Sequence, residues 1–345
     1  MRKYYHHPEP FRLEKGGVLK NLVIAYDTFG TLNEDASNVV WVCHALTADS
    51  DVAGWWPHTV EQGRFLDPDR WFTVCANILG SHYGTTGPLL DNPDSGEPYY
   101  GDFPALTIRD MARAHMLLAR ALGIGRIHAL VGSSVGGFQA LEWIAGEPER
   151  FDLLVLIATA AKASPWTIAV NESQRMAIRA DATYGSRHAQ AGMAGMAAAR
   201  AIGLLTYRGG EGYNLSQGNP AGHDPLHEPH RACTYQQYQG RKLCLRYNAY
   251  SYMTILDAFD THDIGRNRGG VEAALARIKA RTAVVGISTD MVFSTSEMRA
   301  LCGMIPGAGY SEIDSRFGHD GFLVEHEQLN NILYPFINCK TTHEP

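Results

Sequence analysis

The sequence predicts an α/β fold: a mostly parallel β-sheet covered by helices on both faces, with a helical insertion laid over it. Three observations carry this. Short apolar, β-branched runs alternate with helix-periodic runs through the first 160 residues. From 161 to 256 the strand-like runs disappear and helical patterns replace them. After about residue 270 the alternation returns and continues to the C-terminus. The expected division is therefore a core of 1–160 and 257–345 with a helical lid at 161–256.

The elements read in order. "NLVIAYDTFG" (21–30) and "NVVWVCHAL" (38–46) are strands separated by the turn-prone "TLNEDASN", and "RWFTVCANILG" (70–80) is a third. Short connections between these early strands make the sheet start antiparallel. "TIRDMARAHMLLARALGIG" (107–125) has helical periodicity, with Thr107 as its N-cap and Gly123 as its stop. "RIHALVG" (126–132) is a buried strand, "VGGFQALEWIAGEPERF" opens the next helix, and "FDLLVLIATA" (151–160) is a strand. In the lid, "AVNESQRMAIRADATY" and "AQAGMAGMAAARAIGLLTYR" read as helices, whereas "GGEGYNLSQGNPAGHDPLHEPHR" reads as an exposed loop. The core resumes with helix 271–280, strand 281–289, helix 294–304, strand 309–314 and helix 321–337.

Bulk properties bound the function. A chain of 345 residues with 45% hydrophobic content can bury a sizeable core. Its formal charge of −6, with no basic tract, argues against nucleic acid as the main partner. The N-terminus "MRKYYHHPEPFRLEKGG" lacks the apolar stretch of a signal peptide, and no apolar run approaches the length of a membrane span. The cysteines, Cys43, Cys75, Cys233, Cys244, Cys302 and Cys339, form no CxxC pair. That pattern fits reduced thiols and a cytoplasmic protein.

"VGSSVGGFQALEW" (131–143) is the stretch that carries chemistry. The pattern G-x-S-x-G between a strand and a helix is a nucleophile elbow, whose glycines permit close approach of neighbouring backbone. Only Gly132-Ser133-Ser134-Val135-Gly136 fits, because centring on Ser133 puts Val131 where the first glycine belongs. Ser134 is therefore the candidate nucleophile. A serine hydroxyl needs a base, and the base an orienting carboxylate. On this fold they follow in the order Ser, Asp or Glu, His. Strand 281–289 ends at Asp290, and "SRFGHDGF" after strand 309–314 presents His319. For the oxyanion hole, the N–H of Val135 follows the nucleophile, and the loop "CHALTADSD" (43–51) offers the N–H of Leu46.

Other candidates carry less. His223, His227 and His230 match no strict zinc spacing and read as loop residues, so no metal is expected. "ILGSHYGTTG" (78–87) lacks a Walker lysine. The Ala, Gly and Met of helix 189–206 suit close helix packing, with a tunnel wall as the alternative.

With these residues in place, the sequence resembles the α/β-hydrolase-fold homoserine O-acetyltransferases of methionine biosynthesis. The resemblance runs over nearly the whole chain, through "HALTADSDVAGWW" (44–56), "CANILGSHYGTTGP" (75–88), "DFPALTIRDM" (102–111), "GSSVGGFQALEW" (132–143), "NESQRMAI" (171–178), "LTYRG" (205–209), "THDIGR" (261–266) and "GHDGFL" (318–323). It implies a ping-pong reaction in which Ser134 takes acetyl from acetyl-CoA and passes it to the hydroxyl of L-homoserine. Acetyl-CoA is then a co-substrate and no bound cofactor is needed. It also implies that Arg208 binds the amino-acid carboxylate and Asp320 its ammonium. Tyr213 is a candidate helper by its nearness in sequence, and Arg175 is a rival carboxylate binder. A homodimer through the lid helices and a tunnel to a buried site complete what it implies. Relatives on this fold use succinyl-CoA or acylate serine. The absence of Lys and Arg from 44–56, which holds Asp49 and Asp51, favours acetyl over a second carboxylate. The remaining alternative is an esterase that uses the same triad with water as acceptor.

Overall fold

The computed structural model describes residues 2–338, so Cys339 lies outside the described residues. Eight strands form the main sheet: β1 Lys3–His6, β2 Val23–Phe29, β3 Val39–Cys43, β4 Phe72–Ala76, β5 Ile127–Ser133, β6 Phe151–Ile157, β7 Arg281–Ile287 and β8 Gly309–Ile313. Their spatial order is β1-β2-β4-β3-β5-β6-β7-β8. β1 pairs antiparallel with β2, and β2 with β4, while every later pairing is parallel. The sheet does start antiparallel, but not for the expected reason: β2 and β3, the strands joined by a short turn, are not neighbours, and the antiparallel pairs are β1 with β2 and β2 with β4. β1 was not legible, because its residues are mostly exposed and show no apolar alternation.

The sheet is buried on both faces, and the two-residue period of a strand separates them. Trp41, Cys43 and Leu130 face one side, under helices α1 (Ile108–Ala121) and α2 (Val135–Gly146). Val40, Val42 and Val131 face the other, where Trp56, Leu329 and Leu333 pack. Each fully buried side chain of this kind stabilises the fold by roughly 1.5–3 kcal/mol relative to exposure. α1 is bounded as its sequence predicts. Thr107 and Asp110 form a reciprocal capping box, and Gly123 takes φ +71° just past the end.

Six helices lie between β6 and β7: α3 Pro165–Arg179, α4 Met193–Tyr207, α5 Gly210–Gln217, α6 Arg231–Cys244 and α7 Ala249–Asp260 in the insertion, then the short Val271–Leu275. Three expectations need correction here. α5 occupies the start of the stretch read as loop, and its Gly212 lies against the backbone of Arg316. α3 starts earlier than read, at Ser164 as cap with Pro165 in the first turn. The lid boundary expected at 256 falls inside α7, whose buried Tyr252, Ile255, Leu256 and Phe259 join the core cluster.

α4 and α6 cross closely because of their small residues. A Cβ on Gly240 would meet the Ala197 carbonyl oxygen at 2.7 Å, and Gln236 Nε2 donates to Ala201 O at 3.1 Å. The Ala and Gly of this region therefore serve helix packing. After β7 come α8 (Thr295–Met304) and, past β8, α9 (His326–Ile337). Helix 271–280 shortens to Val271–Leu275, and the reading 321–337 splits at Glu325 into a single turn and α9. No helix among the described residues is long and apolar enough to cross a membrane.

Candidate active site

Ser134 sits at the sharp turn between β5 and α2 with φ +54° and ψ −127°, a strained backbone for a residue with a Cβ. Its N–H donates to Ile157 O at 2.9 Å, and Thr159 Oγ1 donates to its carbonyl at 2.8 Å, so both sides of the strained residue are held. The flanking glycines are required. A Cβ on Gly132 would lie 2.5 Å from Gly136 O, and one on Gly136 would lie 2.0 Å from Cys43 O. Gly137 is as tight, with Thr159 Oγ1 2.4 Å from the position of its Cβ.

Asp290 follows β7 and His319 follows β8, and the sheet's parallel register brings both loops to Ser134. Ser134 Oγ lies 2.9 Å from His319 Nε2, and His319 Nδ1 lies 2.8 Å from Asp290 Oδ2. Because the carboxylate only accepts, Nδ1 carries the proton, and Nε2 is left free to accept from the serine hydroxyl. Asp290 is itself fixed: its Oδ1 accepts from the N–H groups of Val292 (2.7 Å) and Phe293 (3.0 Å). Thr289 Oγ1 ties the two loops together, donating to Ser315 O at 2.7 Å and accepting from Gly318 N–H at 3.0 Å. Burial opposes a charged His319. The Asp290 carboxylate, through charge and hydrogen bond, and Asp320 outweigh it and hold the imidazole above the usual histidine range. The set can therefore take a proton from Ser134 and hold it.

The N–H groups of Leu46 and Val135 make no hydrogen bond among the described residues, and Leu46 lines the same cavity as Ser134. The loop that carries Leu46 is set by His44. His44 Nε2 accepts from Ile78 N–H at 3.0 Å, so Nδ1 bears the proton and donates to Ala45 O at 2.8 Å. Full burial lowers the His44 pKa to about 3, which keeps the ring neutral and this arrangement intact.

Arg208 and Asp320 come together. Arg208 Nε lies 2.8 Å from Asp320 Oδ2. The N–H is not aimed along that line, so the contact is an ion pair and not a hydrogen bond. Glycines make the approach possible. A Cβ on Gly209 or Gly212 would meet Arg316 O at 2.7 and 2.2 Å, and one on Gly318 would meet Gly209 N at 2.5 Å. The "YRGGEG" segment of the lid thus lies directly on the histidine loop. Tyr213 does not reach the cavity. Its hydroxyl donates to Ala232 O at 3.4 Å and its ring meets Tyr235 edge-on, because α5 turns that face toward α6. Arg175 is already occupied by Glu172 and Asp260, each at 2.7 Å, and is buried at 6% exposure, which removes it as a rival. His223 pairs with Glu228 at 3.0 Å and His230 with Asn219 at 2.9 Å. Among the described residues no three His, Cys, Asp or Glu side chains gather as metal ligands.

Above the triad lies a cavity of about 530 Å³, bounded below by Ser134, His319 and Leu46 and above by the lid. Several lining residues had no sequence signal. Tyr207, with its ring 6.0 Å from that of His319, adjoins Arg208 in the sequence and was within reach of the reading. Arg200, Lys242 and Arg246 were not, since only the tertiary fold of the lid turns them inward.

A family model described as the α/β hydrolase fold matches residues 38–198. A homoserine O-acetyltransferase of Cyclobacterium marinum is 42% identical, over 97% of this chain and 95% of its own. Among solved structures, the homoserine O-acetyltransferase of Bacillus anthracis aligns with a TM-score of 0.91 at 24% identity, covering 99% of this chain and 98% of its own. An acetylester hydrolase of Corynebacterium glutamicum aligns with a TM-score of 0.87, also at 24% identity, covering 98% and 96%. One backbone thus serves both a transferase and a hydrolase, so the acceptor has to be read from the site.

Proposed function

The chain belongs to the homoserine O-acetyltransferase family, and from that premise we propose that it transfers acetyl from acetyl-CoA to the hydroxyl of L-homoserine through an acetyl-Ser134 intermediate. His319 Nε2 takes the Ser134 proton as Oγ attacks the thioester carbonyl. The N–H groups of Leu46 and Val135 receive the oxyanion, and the tetrahedral intermediate collapses to expel CoA thiolate, which takes up the proton. In the second half, His319 removes the homoserine hydroxyl proton, the alkoxide attacks the acetyl-enzyme, and Ser134 leaves as the alcohol when the proton returns. Asp290 holds the imidazole and stabilises the imidazolium in both halves.

The observation that carries a transferase over an esterase is the Arg208–Asp320 pair beside the catalytic histidine. A zwitterionic amino acid matches such a pair: its carboxylate goes to the guanidinium and its ammonium to the carboxylate. Water and simple esters need neither. Acetyl rests on the family. The argument from a 44–56 segment without Lys or Arg does not hold, because the lid brings Arg246 onto the Thr47 carbonyl. A homodimer through the lid is supported by the exposed Leu205, Leu215, Tyr238 and Leu245 there. The free thiols among the described cysteines accord with work in the cytoplasm.

The test isolates the half-reactions. Protein incubated with acetyl-CoA and freed of CoA should carry acetyl on the Ser134 peptide and surrender it to added homoserine. Arg208→Ala should still become acetylated, with the homoserine concentration needed for transfer raised at least tenfold. Acetyl lost to buffer as fast as to homoserine would make the chain a hydrolase.

A further inference from the structure

The cavity is electrostatically two-sided. Its core side carries Asp49, Asp51 and Asp320, of which Asp49 is 3.6 Å from Arg2 and Asp320 is paired with Arg208. Its lid side carries Arg200, Lys242 and Arg246 and no carboxylate. Among the described residues, none of these three cations lies within 4.0 Å of a carboxylate oxygen. The partners they do have are neutral. Arg200 stands over the Tyr207 ring at 5.5 Å, and Arg246 donates to the Thr47 carbonyl and the Tyr83 hydroxyl. The Lys242 side chain makes no hydrogen bond among the described residues. Their charges are therefore not cancelled.

Close packing puts these charges together. The Gly240–Ala197 crossing of α4 and α6 carries Arg200 and Lys242 onto adjacent helices, and Arg246 follows just past the end of α6. A lysine in the last turn of a helix complements the helix dipole. That accounts for Lys242 alone, since Arg200 lies in mid-helix and Arg246 outside one. The cations also lie at the open end. Lys242 and Arg246 are exposed, while Ser134 at the floor is 7% exposed. A ligand that meets both is long, with a reactive end in the buried floor and a negatively charged end at the mouth.

Resting on the thioester-donor reading above, we propose that Lys242 and Arg200, with Arg246, form the docking site for the phosphates of the acyl-CoA nucleotide. The uncharged pantetheine arm then runs down the cavity to Ser134. Phosphate oxygens take charge-assisted hydrogen bonds from the lysine as a point charge and from the arginine forks. The amino-acid acceptor is held separately, at Arg208 and Asp320.

The experiment compares two donors, acetyl-CoA and S-acetylpantetheine, which lacks the nucleotide, with homoserine as acceptor. In Lys242→Gln and in Arg200→Gln, kcat/KM for acetyl-CoA relative to S-acetylpantetheine should fall about tenfold. Lys242→Arg should restore most of the ratio. In the wild type the KM for acetyl-CoA should rise with ionic strength, more steeply than in Lys242→Gln. An unchanged ratio in both glutamine variants would overturn the proposal, as would a rise confined to the homoserine KM, which would make these cations acceptor ligands. Turnover of S-acetylpantetheine with homoserine by the wild type keeps these outcomes separate from failure of the transferase reading.

Discussion

At the scale of single residues, the proposed reaction turns on the proton of His319. A base must be neutral to act, and Asp290 and Asp320 hold this imidazole above its usual range against the effect of burial. The acid limb of kcat/KM for acetyl-CoA should therefore have its midpoint above about pH 6.5, the ordinary histidine value. Asp290→Asn removes the main supporting charge and the acceptor of the Nδ1 proton. Its kcat should fall by about three to four orders of magnitude, and the acid limb of the residual activity should move to lower pH. A pH–rate series on both proteins checks this, and an unmoved acid limb would assign the titration to another group. Which residues were legible follows from how local their signal is. Ser134, Asp290 and His319 each lie in the loop or turn that follows a strand, so the strand order led to them. Arg208 and Asp320 were given by resemblance. Tyr213 was placed at the site by nearness in sequence, and the turn of α5 takes it away.

At the scale of elements, the nucleophile turn and the lid crossing obey the same rule: backbone approaches backbone where a side chain is missing. Gly136→Ala would set a Cβ 2.0 Å from Cys43 O, and the rigid carbonyl of a central strand cannot yield. The cost should be about 3 kcal/mol or more in chemical denaturation, with activity lost through displacement of Ser134. Wild-type stability in this variant would mean that α2 does not pack on β3 as described. The core strands could be read because they are continuous apolar runs. The lid could not be read as well. Its helix α5 holds two glycines in eight residues and α6 is mostly polar, and the contacts that seat them, Gly212 on Arg316 and Gly240 on Ala197, exist only in the folded chain.

At the scale of the whole molecule, the order β1-β2-β4-β3-β5-β6-β7-β8 gathers three distant loops at one end of the sheet. The sequence reading reached the class, the antiparallel start and the order of the triad, but it had no means to see which strand pairs with which. The buried interior also sets the response to acid. Full burial lowers His44 and His262 to about 3 and His115 to about 4. Unfolded, each would bind a proton below about pH 6.5, so the stability they allow is complete above that value and is lost as pH falls. The slope is about 1.4 kcal/mol per pH unit for each, or about 4 kcal/mol for the three together. His319, whose folded pKa is raised, has the opposite sign and acts only above pH 6.5. Thermal unfolding midpoints should therefore decline steadily from pH 6 to pH 5, and a flat profile would contradict neutral burial of these rings.

The proposed Ser134 acyl-enzyme is built to wait for an amino acid. The most direct measurement is the steady-state rate of CoA release from acetyl-CoA, with and without homoserine, using the wild type and Ser134→Ala. Release should be at least a hundredfold faster with homoserine than without, slower with serine or succinyl-CoA in place of the proposed substrates, and absent in Ser134→Ala. Equal rates with and without homoserine, or full activity in Ser134→Ala, would contradict that role for Ser134.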